Sequence, residues 1–265
     1  MVVILAAGKG SRMGLRDGVS KCSVTLPDGR SSVRRLIDQF INLGEKDFVV
    51  IVGYGAESVV KSVGNVTEAS VCFVYNGNYD TRGCEYSLSC SAPILDINKD
   101  LIIVEGDLVT TASNLEAITQ YHDNAVLVRP SSHLCDRSVA VVCSDDNRQV
   151  LKFLYDKCHT FDMKSLEKIV PQIYDSFQVW KISSGSSLVD FKYLLKLYKE
   201  FADDESSDKD YKFESGLLSI NEFVTRHVMS TVLVPDPDKW INLNSKDDID
   251  RLEKNNICSK FSPNS

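Results

Sequence analysis

Over the first 145 positions, apolar residues come in short runs closed by glycine or polar residues. Val2 to Ala6 is such a run, rich in β-branched side chains, and predicts a buried strand. Phe48 to Val52, Val71 to Tyr75, Leu101 to Val104, Ala125 to Val128 and Val139 to Cys143 repeat the pattern. Val33, Leu36, Ile37, Phe40 and Ile41 fall at helical spacing, with Ser31-Ser32 ahead as an N-cap and Gly44 behind as a stop. Ser113-Asn114-Leu115-Glu116 reads as a capping box that opens another helix. Strands alternating with helices predict an α/β fold with a largely parallel sheet. Ligands of such sheets sit beyond the carboxyl ends of the strands. The polar or glycine-rich segments 7–21, 53–55, 76–87 and 105–111 therefore mark the expected site.

The second half is less regular. Gln149 to Tyr155, Gln172 to Trp180 and Thr231 to Val234 read as strands. Leu188 to Phe201 and Glu214 to Val228 read as helices, separated by an acidic exposed loop from Ala202 to Lys212. Pro235-Asp236-Pro237-Asp238 turns the chain, and Ser245-Lys246-Asp247-Asp248 caps a last helix through Leu252. No repeat or Pro/Gly/Ser linker interrupts the chain. The expectation is one domain over 1–254, with a nucleotide-binding part at about 1–145, an acceptor-binding part at about 146–254, and a frayed tail over 255–265.

Composition narrows the function classes. The 265 residues suffice for a sizeable core without metal or disulfide support. Thirty Lys and Arg against 37 Asp and Glu give a net charge of −7, which excludes a globally basic nucleic-acid binder. No apolar run reaches the length that spans a bilayer, and the N-terminus lacks the basic region of a signal peptide. The eight cysteines form no C-x-x-C pair. They read as reduced thiols acting as small hydrophobes in a cytoplasmic protein, with no membrane and no nucleic-acid partner.

The chemistry concentrates in Leu5-Ala6-Ala7-Gly8-Lys9-Gly10-Ser11-Arg12-Met13. Gly8 and Gly10 clear space for backbone N–H groups to cradle a polyphosphate, and Lys9, Arg12 and Lys21 add positive charge. The loop is not a Walker A motif, and Met13 stands where G-x-G-x-x-G needs its third glycine. The string L-A-A-G-x-G-x-R with a lysine nine positions on resembles the signature of the nucleotidyltransferase (pyrophosphorylase) family. That resemblance implies a Rossmann-like, GT-A-related sandwich with a mainly parallel mixed sheet. It also implies joining of a nucleoside triphosphate to a phosphorylated acceptor with release of pyrophosphate. On it, Leu5, Ala6, Ala7, Gly8, Gly10 and Ser11 bind the nucleotide, while Arg12 and Lys21 are catalytic, Lys21 stabilising charge at the α-phosphate. Lysine usually follows proline in the family; here it follows Ser20.

Further landmarks resemble the same family. Glu105-Gly106-Asp107 looks like its metal-binding turn, which makes Asp107 a Mg²⁺ ligand. Trp240-Ile241-Asn242-Leu243-Asn244-Ser245 followed by Asp247-Asp248-Ile249 looks like the closing W-x-x-[IV]-D-[ST]-x-x-D-[LI]. The second metal aspartate then falls on Asn244, with Asn242 and Asp238 as neighbouring alternatives. Tyr75-Asn76-x-x-Tyr79 and Gly83-Cys84-x-Tyr86-Ser87-Leu88 look most like the cytidylyltransferases that activate phosphocholine or 2-aminoethylphosphonate. Gly83, Cys84 and Ser87 would read cytosine.

For the acceptor, Tyr86 and Trp180 offer aromatic faces to a cation, Glu214 offers charge, and Lys181 could meet the phosphate. An anionic acceptor needs no histidine base. The resulting expectation is a Mg²⁺-dependent cytidylyltransferase acting on CTP and a small phospho- or phosphono-acceptor. The alternatives are a sugar-1-phosphate nucleotidyltransferase using another NTP and a catalytically inactive nucleotide-binding regulatory module. A GT-A glycosyltransferase would show D-x-D, which Glu105-Gly106-Asp107 is not. Acceptor identity and oligomeric state, a homodimer included, stay open.

Overall fold

The computed structural model describes residues 1–144, 148–156, 160–170, 172–204 and 217–258. Its centre is a nine-stranded mixed sheet. The strands are β1 (Val2–Ala6), β2 (Asp47–Val52), β3 (Ser70–Tyr75), β4 (Leu101–Glu105), β6 (Ala125–Pro130), β7 (Val139–Cys143), β8 (Val150–Tyr155), β9 (Gln172–Ile182) and β10 (Ser230–Leu233). A separate antiparallel pair joins β5 (Leu108–Thr110) to β11 (Trp240–Asn242). The order β10-β6-β9-β4-β1-β2-β3 puts strands of both halves of the chain into one sheet. β3, β2, β1 and β4 run parallel. β9 runs antiparallel to both β4 and β6.

The continuous apolar runs follow from burial on both faces. In β1, Val3 and Leu5 face one cluster and Val2, Ile4 and Ala6 the other. Helices α1 (Ser32–Asn42), α2 (Ala56–Val63) and α4 (Ala112–Thr119) cover the second face. Helices α3 (Cys84–Ser89), α5 (Ser186–Asp203) and α6 (Leu218–Arg226) cover the first. α7 (Asp247–Lys254) packs near the closing motif. No helix among the described residues is long and apolar enough to cross a membrane.

Local signals behave unevenly. Ser31 Oγ accepts from the Arg34 N–H at 3.1 Å, as an N-cap should, and Gly44 adopts φ +97° just past the helix. The capping box at Ser113 does not form. α4 starts at Ala112, and the Ser113 hydroxyl instead meets Thr111 and Asp236. At the last helix the reach is reversed: the Asp248 carboxylate accepts from the N–H groups of Asn244 and Ser245 and from the Ser245 hydroxyl.

Two expectations about the C-terminal half are corrected. The tail does not fray from Asn255, because Ile257 and Cys258 are buried against Leu252, Leu243 and Met13. Ala202 and Asp203 close α5 rather than open the acidic loop, whose remaining positions 205–212 lie outside the described residues. The cysteines also divide. Cys22, Cys143 and Cys258 are buried, whereas Cys72, Cys84 and Cys135 are exposed. Cys158 lies outside the described residues.

Candidate active site

A cleft of about 720 Å³ opens at the carboxyl ends of β1 and β4. Arg12, Glu105, Asp107, Asn242 and Asn244 line it from one side, and Arg129, Asp175, Gln178 and Trp240 from another.

The glycine-rich loop delivers the cations. Gly10 takes φ +60°, and a Cβ there would stand 2.9 Å from Lys21 Cδ. A glycine is therefore needed both for the backbone turn and for the lysine stem packed over it. Gly8 has neither constraint. Met13, which breaks the glycine pattern, is 2% exposed among Leu26, Ile241, Leu243 and Leu252. It pins the loop to the closing motif, so Arg12 and Asn244 meet: Arg12 Nη2 donates to Asn244 Oδ1 at 3.0 Å.

Asp107 is placed by the turn that ends β4. Gly106 N–H donates to the Leu5 carbonyl at 2.8 Å, and Ser32 Oγ donates to the Gly106 carbonyl at 2.7 Å. Leu243 N–H donates to the Asp107 carbonyl at 3.0 Å. Lys21 Nζ is ion-paired with the Asp107 carboxylate and lies 3.5 Å from Asn244 Oδ1. Burial alone would lower the Lys21 pKa, but Asp107 reverses that and holds the ammonium above the ordinary lysine range. Burial, then Asp107, push Glu105 up to about 8 against the pull of Lys21. Burial likewise pushes the Cys22 thiol up to about 12, so this neighbour of Lys21 carries no thiolate.

Asp107 and Asn244 thus present two oxygens to one cation, the place taken by the Lys21 ammonium. Among the described residues no group of three His, Cys, Asp or Glu gathers to hold a metal. The pair still fits Mg²⁺, which binds through one or two protein oxygens, waters and substrate phosphates. Of the alternative ligands, Asp238 has a side chain 91% exposed beside His133, and the Asn242 amide donates to Gln178.

Several sequence-based assignments are corrected. Lys181 pairs with Ile102 near the start of β4, at the opposite end of the sheet from Asp107. Its ammonium is held by Asp100 and the carbonyls of Thr119 and Tyr121, so it cannot meet an acceptor in the cleft. Tyr86 is 3% exposed, and its hydroxyl is shared by Asn78, Asp203 and Lys199. It braces α3 against α5 instead of offering a face. Ser87 is also buried, and its Oγ accepts from the buried Asn76 amide at 3.0 Å. It anchors the loop after β3 rather than reading a base. Gly83 precedes α3, and Cys84, the first helical residue, does reach the cleft. Trp180 lines the cleft but is 8% exposed and packed in the core. Glu214 lies outside the described residues. Leu5, Ala6 and Ala7 are buried, with the Leu5 and Ala7 carbonyls already accepting from Gly106 and Tyr54, while Gly8 and Ser11 stand in the exposed loop.

The structure adds residues that the sequence reading passed over. Arg129, next to last in β6, stacks 3.9 Å over the Trp240 ring and is ion-paired with Asp175. A lone cation closing the run Ala125-Val126-Leu127-Val128 was its signal, by the same strand-end rule that marked 105–111.

Glu85 is 5% exposed beside the cleft and accepts from the Leu218 N–H at 3.0 Å and from the Ser219 N–H, at the start of α6. Burial raises it to about 7 despite those donors. A carboxyl raised in the fold favours the folded state while protonated, so its contribution is lost as pH rises from about 4.5 to about 7. Glu85→Gln keeps an acceptor oxygen without the charge. We expect it to raise the melting temperature by a few degrees at pH 8 and to have little effect at pH 4, in paired thermal-unfolding scans. Equal shifts at both pH values would exclude titration of Glu85 as the cause.

A family model described as a domain of unknown function (DUF6564) matches residues 22–256. The bifunctional protein GlmU of Bacillus cytotoxicus is 33% identical over 127 residues, which is 46% of this chain and 25% of that protein. The chain thus spans about a quarter of the length of the curated relatives it matches. Three solved structures share the fold. The inositol-1-phosphate CTP transferase of T. maritima is 18% identical with a TM-score of 0.67, over 97% of this chain and 94% of that one. The CTP:phosphocholine cytidylyltransferase of Streptococcus pneumoniae is 14% identical with a TM-score of 0.68, over 96% and 97%. A putative glucose-1-phosphate thymidylyltransferase of Bacillus anthracis is 14% identical with a TM-score of 0.70, over 98% and 96%. The Rossmann-like nucleotidyltransferase fold expected from the glycine-rich loop is the fold observed.

Proposed function

The chain belongs to the family described as a domain of unknown function (DUF6564), and from its nucleotidyltransferase fold we propose that it transfers CMP from CTP to a small phospho- or phosphono-acceptor and releases pyrophosphate. The observation that carries this reading is the convergence of Lys21, Arg12, Asp107 and Asn244 in one cleft. Two cations from a glycine-rich loop meet two oxygens from separate strand ends, which suits a polyphosphate with a divalent ion.

In this reading the exposed loop over Gly8 to Ser11 receives the triphosphate, and Arg12 orients it. Lys21 faces the α-phosphate, where it stabilises charge that builds up during transfer. Asp107 and Asn244 would hold Mg²⁺, which when bound neutralises charge on the phosphate oxygens. The acceptor phosphate is already anionic, so alignment and charge neutralisation suffice without a general base. CTP is favoured over other nucleotides by the resemblance of the 75–88 segment to cytidylyltransferases. The names of two solved structures with this fold, an inositol-1-phosphate CTP transferase and a CTP:phosphocholine cytidylyltransferase, support the same choice. A sugar-1-phosphate acceptor is the second reading, favoured by the glucose-1-phosphate thymidylyltransferase of the same fold.

A panel of nucleoside triphosphates and acceptors, scored by pyrophosphate release, tests both. We expect CTP with phosphocholine or 2-aminoethylphosphonate to exceed CTP with glucose-1-phosphate by at least about tenfold in kcat/KM, a difference of about 1.4 kcal/mol. Faster release with glucose-1-phosphate and UTP or dTTP would favour the second reading. No release with any pair would leave a binding module without catalysis.

A further inference from the structure

We infer that Gln178 binds an oxygen of the acceptor's phosphoryl or phosphonyl group, held in place by strain built into β9; this rests on the cytidylyl-transfer reading above. Gln178 adopts φ +60°, a left-handed conformation that a non-glycine side chain rarely takes in a strand. It lies at a bulge. Val126 pairs with Trp180 and Val128 with Ser176, so three residues of β9 stand opposite Leu127 alone.

The bulge falls where one edge of β9 changes neighbour. Gln172 to Asp175 pair with β7, and Val179 to Ile182 pair with β4. Gln178 sits at the break, and it lines the cleft that opens there. Its own N–H is satisfied by Ser176 Oγ at 3.2 Å, so the distorted backbone is supported rather than loose.

The side chain is oriented as well. Gln178 Oε1 accepts from the Asn242 amide. Asn242 pairs with Leu108, the residue after Asp107, which ties Gln178 to the Asp107 centre. With its oxygen committed, Gln178 presents amide N–H donors that have no partner among the described residues. Arg12, Arg129, Arg137 and Arg251 line the same cleft, Arg129 and Arg251 ion-paired with Asp175 and Asp248, so guanidinium donors stand near Gln178 alongside those carboxylates. Backbone strain of this kind persists where the surrounding structure imposes it, and it gathers at ligand sites. The sequence-based acceptor lysine, Lys181, is turned away, and Gln178 supplies donors on the cleft side instead.

Strain and binding can be separated by mutation. Gln178→Gly removes the donors and suits φ +60°; Gln178→Glu keeps the shape and the strain but puts a carboxylate against the acceptor. Both tryptophans of the chain, Trp180 and Trp240, line the cleft, so intrinsic fluorescence reports binding there. Phosphocholine and 2-aminoethylphosphonate are titrated into the full chain saturated with Mg²⁺ and a CTP analogue whose α,β bridge cannot be cleaved, so that binding is read without turnover. We expect Gln178→Gly to raise the Kd for the acceptor that wild type binds by at least about tenfold, with the Kd for CTP unchanged and the melting temperature equal or higher. Gln178→Glu should weaken the acceptor further at a near wild-type melting temperature. An unchanged acceptor Kd overturns the inference. So does a Gln178→Gly protein that melts earlier and binds CTP and acceptor equally poorly, since that marks a structural role. Wild type binding CTP but neither acceptor overturns it too. Failure of the underlying reading is seen separately, as no pyrophosphate from wild type with any acceptor of the panel.

Discussion

We expect Lys21→Ala to lower turnover by about a hundredfold or more, in a protein that stays folded and keeps the CTP binding proposed above. Lys21 is a half-buried cation held against two residues that line the cleft, 3.5 Å from Asn244 Oδ1 and ion-paired with Asp107. Its ammonium is held above the ordinary lysine range, so it is charged at any working pH. Its stem is fixed by packing over Gly10. A pre-positioned charge of this kind typically contributes about 3 kcal/mol to a transition state, or about two orders of magnitude in rate. Arginine is a poor substitute because its wide planar guanidinium does not reproduce the compact ammonium held between Asp107 and Asn244, so Lys21→Arg should recover little. Steady-state pyrophosphate release, with CTP binding followed by fluorescence, checks this. Near-normal turnover in a folded Lys21→Ala protein removes Lys21 from the mechanism.

On the proposed Mg²⁺ role, Asp107→Asn should abolish turnover, and excess EDTA should do the same to wild type. Sequence reasoning alone expects removal of this carboxylate, as in Asp107→Ala, to leave thermal unfolding nearly unchanged, because a carboxylate at a strand end packs against little. The structure changes that expectation. Asp107 is 6% exposed and is the ion-pair partner of Lys21, whose side chain is 17% exposed. Removing one member of a buried pair leaves the other charge uncompensated. Asp107→Asn should therefore also lower the melting temperature by several degrees, and Lys21→Met in the same chain should restore part of it. Asn244→Asp adds a negative charge beside Arg12 and Lys21. It should lower the Mg²⁺ concentration needed for half-maximal turnover. Turnover that persists in Asp107→Asn or in EDTA, or an unmoved Mg²⁺ requirement in Asn244→Asp, would place the metal elsewhere.

The parts of the site that were legible in the sequence share a physical property: their roles are set by local backbone geometry. Gly10, Arg12 and Lys21 lie within one short loop, and Asp107 lies in the turn directly after a buried strand. The 75–88 segment shows the limit of that reasoning. The spacing of Tyr86 and Ser87 in a short helix start does not reveal which face is turned inward. In the fold both are buried and bonded to protein partners, Ser87 to Asn76 and Tyr86 to Asn78, Asp203 and Lys199. Lys181 failed for a similar reason. Next to a tryptophan, it does stand at the carboxyl end of β9, but the antiparallel direction of β9 puts that end opposite the start of β4, away from Asp107.

Readable from the residues alone were the alternation of strands and helices, the two-sided burial of the central strands and the glycine-rich loop after β1. Each depends on periodicity, turn chemistry or glycine, which act over a few residues. Only the tertiary structure decided what lies opposite that loop. Arg129, Gln178, Trp240 and Asn242 come from three strands far apart in the chain, and their meeting depends on strand order and on β9 running antiparallel between β6 and β4. The bulge that turns Gln178 to the cleft arises from that pairing, as β9 exchanges β7 for β4 along one edge. Nothing local to Phe177-Gln178-Val179 encodes it, because the mismatch exists only between strands.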